Sequence, residues 1–134
     1  MKILSIRTDN PEAEVGIFDS AKNTDSPLNY KHWQAHRILS ETLLPNIKQL
    51  IEESGLKLDD LGAIVCFSGP GSFTGLRIGI STANALAYGL SIPIVGSKDD
   101  SWIADGIKEI MVNKNDQMII PNYGAPVHIT KPKK

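Results

Sequence analysis

A chain of 134 residues supports one domain around a single core. With 41% hydrophobic and 22% charged residues it has the make-up of a soluble globular protein, and a net charge of -1 excludes any general attraction to nucleic acid or anionic lipid. Cys66 is the only cysteine, which excludes an internal disulfide; set in the apolar run Ala63-Ile64-Val65-Cys66-Phe67, it is expected to pack as a small apolar residue.

Ile3, Leu4 and Ile6 predict a first strand and Glu14 to Asp19 a second. Thr8-Asp9-Asn10-Pro11 between them is turn-forming, so the two make an antiparallel hairpin. The opening Met1-Lys2-Ile3-Leu4-Ser5 turns polar too soon for a signal-peptide core, and no apolar stretch approaches the roughly 20 residues of a membrane span. A cytoplasmic location without membrane contact is the default expectation. A third, edge strand is expected to end near Tyr30 to Trp33. From Ala35 to Ser54 the apolar residues Ile38, Leu39, Leu43, Leu44, Ile47, Leu50 and Ile51 fall at spacings of three and four and predict an amphipathic helix. Gly55 stops it, with Leu56 folding back onto the last turn, and Pro45 predicts a kink near Glu41 to Leu44.

Ile64 to Ser68 reads as a strand buried on both faces, as parallel pairing requires. A Gly-rich turn, a helix from Thr74 to Leu90 and a short strand from Ile92 to Gly96 follow. Three strands succeeded by alternating helices and strands make an α/β fold with a mixed five-stranded sheet. Farther on, Trp102 to Met111 predict a short helix, Met118 to Ile120 a short strand, and Pro121 to Lys134 an extended basic tail. The chain divides accordingly into a main body, 1–97, and a short helix/strand remnant with its tail, 98–134.

The helix from Thr74 to Leu90 carries the sharpest signal. Gly75, Gly79, Ala83 and Ala87 recur at every fourth position and stack into a ridge without bulk, which lets another backbone approach closely. Leu76, Ile78, Ile80, Leu86 and Leu90 make the other faces apolar, and such a helix is expected to be covered on two sides. One cover is its own sheet; the second is expected to be another protein.

The preceding turn, Gly69-Pro70-Gly71-Ser72-Phe73, invites an anion site at the helix N-terminus, but it lacks the Gly-Lys-Ser/Thr ending of a phosphate loop and the frame of a nucleophile elbow. Ser72 and Thr74 are expected as turn and N-cap residues. His32 and His36 have the separation that grips zinc from one helical face, yet Trp33 stands where a metalloprotease needs glutamate, and only His128 or a carboxylate remains as third ligand. They read as surface or interface histidines. A nuclease of ribonuclease H type needs an acid at the end of the first strand, where Arg7 stands and repels a divalent cation; Asp9 reads as a turn residue. Lys131-Pro132-Lys133-Lys134 reads as a solvated end. No catalytic, cofactor-binding or metal-binding residue is expected.

Phe67 to Gly79, the segment Leu39-Ser40-Glu41-Thr42-Leu43-Leu44-Pro45 and Ile92-Pro93-Ile94-Val95-Gly96 resemble the bacterial TsaB (YeaZ) family. The resemblance spans about residues 1–97, with an echo in Pro121-Asn122-Tyr123. It implies a single lobe of the actin-like ATPase and ribonuclease H-like fold, the second lobe being largely absent. It further implies a scaffold subunit without catalysis or cofactor of its own, serving formation of threonylcarbamoyladenosine at position 37 of tRNA. Partners so implied are the transferase TsaD and the ATPase TsaE, with tRNA met only through the complex, and a homodimer is a further possibility. The family pairs through two helices that here run 35–54 and 74–90, giving Leu39, Leu43, Ile47, Gly75, Gly79, Ala83 and Ala87 as the expected interface. Two departures stand out: Arg7 replaces the family's aspartate and Leu39 its histidine. The alternatives are a nucleotide- or metal-dependent enzyme of the same superfold, and an autonomous homodimer without the modification role.

Overall fold

Strand β1 (Lys2–Arg7) sits at the centre of the sheet because its neighbours on both sides are apolar enough to bury it: Ile3, Leu4 and Ile6 have no exposed surface. In a computed structural model, which describes residues 1–22, 24–71 and 73–122, β2 (Glu12–Asp19) pairs antiparallel with β1 and with β3 (Asn29–Gln34). Strand β4 (Leu61–Gly69) joins the other side of β1 in parallel and takes β5 (Ile94–Lys98) in parallel at the edge. The resulting five-stranded mixed sheet has the order β3-β2-β1-β4-β5. Helices α1 (Leu39–Glu53) and α2 (Phe73–Leu90) lie side by side, α1 over β2 and β3 and α2 over β4, while α3 (Trp102–Met111) covers β4 and β5. Among the described residues no helix is long and apolar enough to cross a membrane.

Helix α1 starts at Leu39, later than its apolar pattern. The N–H groups of Ala35 and His36 both donate to the Pro11 carbonyl, at 2.9 and 3.3 Å, which keeps the chain tied to the β1–β2 turn until a 3-10 turn, His36–Ile38, leads into the helix. It then runs unbroken through Pro45, with the Asn46 side-chain amide Nδ2 donating to the Thr42 carbonyl at 2.8 Å. At its end Gly55, at φ +72°, donates to Glu52 and Leu56 to Ile51, the reciprocal pair that closes a helix on a left-handed glycine.

Residues expected as an appendage pack into the main core. Trp102, Ile107, Ile110 and Ile119 belong to the same buried cluster as the strands, and the Trp102 and Phe67 rings meet edge to face at 5.8 Å. The short strand expected at Met118 to Ile120 does not form. Ile119 instead finds both its backbone partners in one side chain, donating to Asn84 Oδ1 at 2.9 Å and accepting from Asn84 Nδ2 at 3.1 Å. The expected tail lies outside the described residues from 123 onward, and with it Tyr123 and His128.

At the lower end of β2, Asp19 accepts from Lys2 Nζ at 2.7 Å and from the Ala21 N–H at 3.0 Å, and these bonds hold its carboxyl at about 2. A depressed folded-state value stabilises the fold above the ordinary aspartate range and loses that contribution as pH falls through 2. Asp19→Asn is therefore expected to melt below the parent at pH 7, with the two midpoints converging as thermal scans approach pH 2; a constant gap would contradict this assignment. Cys66 is buried, and desolvation pushes its thiol up to about 12, so it stays neutral and inert.

Candidate functional site

The site begins where β1 ends. Arg7 Nε and Nη2 reach the two oxygens of Asp9 at 2.7 and 3.2 Å, and its guanidinium lies 3.9 Å over the Phe67 ring. The Asp9 hydrogen bonds raise the Arg7 pKa further, which keeps the guanidinium charged. Asp9 is 9% exposed, and the Gly-rich turn rests on it: a Cβ at Gly71 would run into Asp9. Gly69, at φ +121°, has the Asn122 carbonyl where a side chain would start. This turn delivers α2, which begins at Phe73; Thr74 thus lies inside the first helical turn and is no N-cap, and Ser72 lies outside the described residues.

Thr8 decides which face of α2 turns inward. Its hydroxyl donates to the Gly75 carbonyl at 2.7 Å, its own carbonyl occupies the place of a Cβ on Gly75, and its side chain occupies that of a Cβ on Gly79. Ala83 and Ala87 continue the ridge with 0% and 3% exposure. The small ridge therefore packs on the chain's own β1 end and sheet. On α1, Leu39, Leu43 and Ile47 are buried in the core at 4%, 1% and 0%, so they too set the seat of their helix.

What faces outward is a second ridge, two positions on. Arg77, Ser81, Ala85 and Gly89 again recur at every fourth position, all exposed, and nothing lies within 4 Å of a Cβ built on Gly89. Tyr88 beside it is 88% exposed. On α1 the outward residues include Ser40, Leu44, Lys48 and Glu52. A crevice of about 400 Å³ between the helices is lined by Ser40, Thr74, Arg77, Ile78, Ser81 and Thr82. Through Thr74 and Ile78 it continues into a cavity of about 460 Å³ that reaches Asp9, His36 and Arg37. Such a face, grooved and with small residues along α2 from Ser81 to Gly89, admits a partner helix at close range.

The histidine pair is not a helical pair. His32 stands on β3, 3.1 Å from Glu12, whereas His36 sits in the 3-10 turn at φ +42°. Among the described residues no group of three or more His, Cys, Asp or Glu side chains is placed to hold a metal ion. The outward ridge had a signal in the sequence, the same four-residue period shifted by two through Ser81, Ala85 and Gly89, and which row turns inward was left to Thr8.

A family model described as TsaD, tRNA N6-adenosine threonylcarbamoyltransferase, matches residues 33–105. The tRNA threonylcarbamoyladenosine biosynthesis protein TsaB of Escherichia coli is 33% identical over 106 residues, which cover 79% of this chain and 44% of that protein. The protein of the same name from Haemophilus influenzae is 39% identical over 81 residues, covering 60% of this chain and 34% of that one. YeaZ from Pseudomonas aeruginosa is a structural match with a TM-score of 0.65 at 28% identity, over 73% of this chain and 44% of that one. The chain thus spans less than half the length of these relatives.

Proposed function

The chain belongs to the TsaB (YeaZ) family, and on that premise we propose that it serves tRNA threonylcarbamoyladenosine formation as a non-catalytic scaffold, docking a TsaD-like transferase on the outer face of α1 and α2. One observation carries the reading: Ser81, Ala85 and Gly89 give the exposed side of α2 a track of small residues between Arg77 and Tyr88, next to a crevice lined by Ser40 and Ile78. The buried ridge supports the same function from behind. Gly75 and Gly79 let α2 settle onto Thr8, and that seating fixes the distance and tilt at which the outer face meets a partner helix. A TsaE-like ATPase and tRNA join through the transferase.

The Arg7 to Asp9 pair weighs against the enzyme alternative, since a cation already holds the carboxylate at the end of β1. The homodimer alternative uses the same face, and size-exclusion chromatography of the chain alone against the mixture separates it from the transferase complex. Ala85→Arg is the direct test. Ala85 is exposed, so the variant is expected to keep the parent melting point while co-purification with the TsaD-like subunit falls at least tenfold and tRNA modification by the mixture falls with it. Lys108→Ala, on exposed α3 surface, is expected to leave both unchanged. Undiminished co-purification of Ala85→Arg would overturn the docking face.

A further inference from the structure

After α3 the chain turns at Asn113, which has φ +66°, and returns along the open edge of β5. It is fastened there by one backbone bond and two side chains. The Asp116 N–H donates to the Ile94 carbonyl at 2.8 Å, its carboxylate accepts from the Gly96 N–H at 2.8 Å, and Asn115 Oδ1 accepts from the Ile94 N–H at 3.1 Å. Ile119 then drops into the core, 5% exposed, with its methyl 3.0 Å from the place of a Cβ on Gly96. At the top Asn122 donates to the Ser68 carbonyl at 2.8 Å, directly before the Gly-rich turn that feeds α2. An edge strand left with bare N–H groups invites foreign pairing, and this strap occupies them.

The strap also holds α2. Asn84, on the β5 side of that helix, presents one donor and one acceptor to the backbone of Ile119, as a neighbouring strand would. Toward the C-terminal end of α2 the two part company: Ala87, Gly89, Ile92, Pro93, Asn115 and Gln117 line an open crevice of about 740 Å³. The helix is thus fastened to the strap at its middle, and the strap touches the start of the Gly-rich turn ahead of it.

We propose that residues 115–122 are a latch on α2, with Asn84 as its keeper, so that the position of the outer helix face depends on whether the strap is docked. Its consequence for a partner rests on the scaffold reading above; the latch itself does not. When the strap is released, Asn84 loses both bonds, the crevice beside α2 opens along the helix, and α2 is held only by Thr8, α1 and the sheet beneath it.

The test is hydrogen exchange with mass spectrometry on the full chain, for the parent, Asn84→Leu and Asp116→Ala. Asp116→Ala is the informative variant because it removes the carboxylate bond to the Gly96 N–H, and so loosens the strap on β5, without touching α2. Loss of protection of about tenfold is expected in residues 116–122 and, with it, in 81–90 of α2, while α1 exchanges as in the parent. Asn84→Leu is expected to reproduce this pattern, and should it fail to fold, Asp116→Ala decides alone. Unchanged exchange in α2 when the strap is loosened would overturn the latch. Titration of the same three proteins with the TsaD-like subunit separates the two readings: a parent that does not bind refutes the scaffold and leaves the latch standing, whereas unaltered α2 exchange refutes the latch alone.

Discussion

Gly79→Leu is expected to lose about 3 kcal/mol of stability or more, enough to leave much of the protein unfolded near body temperature. The added side chain would begin where the Thr8 side chain already sits, and Thr8 has no room to retreat. Its hydroxyl is bonded to Gly75, and its backbone closes the turn between β1 and the buried Asp9. Thermal melting by circular dichroism checks this. Gly89→Ala is the matched control, since open space surrounds it and alanine favours helix over glycine by roughly 0.8 kcal/mol; its midpoint is expected at or slightly above the parent value. A Gly79→Leu protein that melts with the parent would mean that the ridge does not lie on Thr8.

Arg7→Ala is expected to cost about 1 to 3 kcal/mol, less than the roughly 3 to 5 typical of a fully buried pair because Arg7 is itself partly open to water. Two losses combine: the Asp9 carboxyl beneath Gly71 loses both of its Arg7 donors, and Phe67 loses the guanidinium stacked on it. The variant Arg7→Ala/Asp9→Asn is expected to recover part of the loss, because a neutral amide leaves no charge to compensate. Urea denaturation of the four proteins of this cycle gives the coupling. A single variant as stable as the parent, or a double variant no better than the single, would show that the pair does not hold the turn.

The succession of strands and helices was legible because burial leaves a periodic trace. The continuous apolar run of β4 marked a strand covered on both faces, and the three- and four-residue spacing of Leu43, Ile47 and Leu50 marked α1 as an amphipathic helix. Boundaries were legible only where a local residue imposed them. Gly55 ended α1 where expected, but its start slipped to Leu39 because the Pro11 carbonyl, distant in sequence, takes the N–H groups of Ala35 and His36. The strap was misread for a similar reason. A strand was expected at Ile119, yet a side chain, Asn84, supplies the pairing that a strand would, and no pattern of hydrophobicity encodes that substitution.

The candidate site shows the same divide. Four-residue recurrence of glycine and alanine marked α2 as a helix of close approach, and Arg7 in place of an acid marked the end of β1 as a poor cation site. Both are properties of residues along one element, so the sequence alone determined them. Which of the two small ridges of α2 faces its own sheet was decided by the turn that places Thr8 under Gly75 and Gly79, 67 residues apart in the case of the Thr8 to Gly75 bond. Helical periodicity is symmetric with respect to that choice: it spaces the ridges and is silent on which one a distant backbone will meet, so only tertiary packing turned Gly79 inward and left Ala85 to the outside.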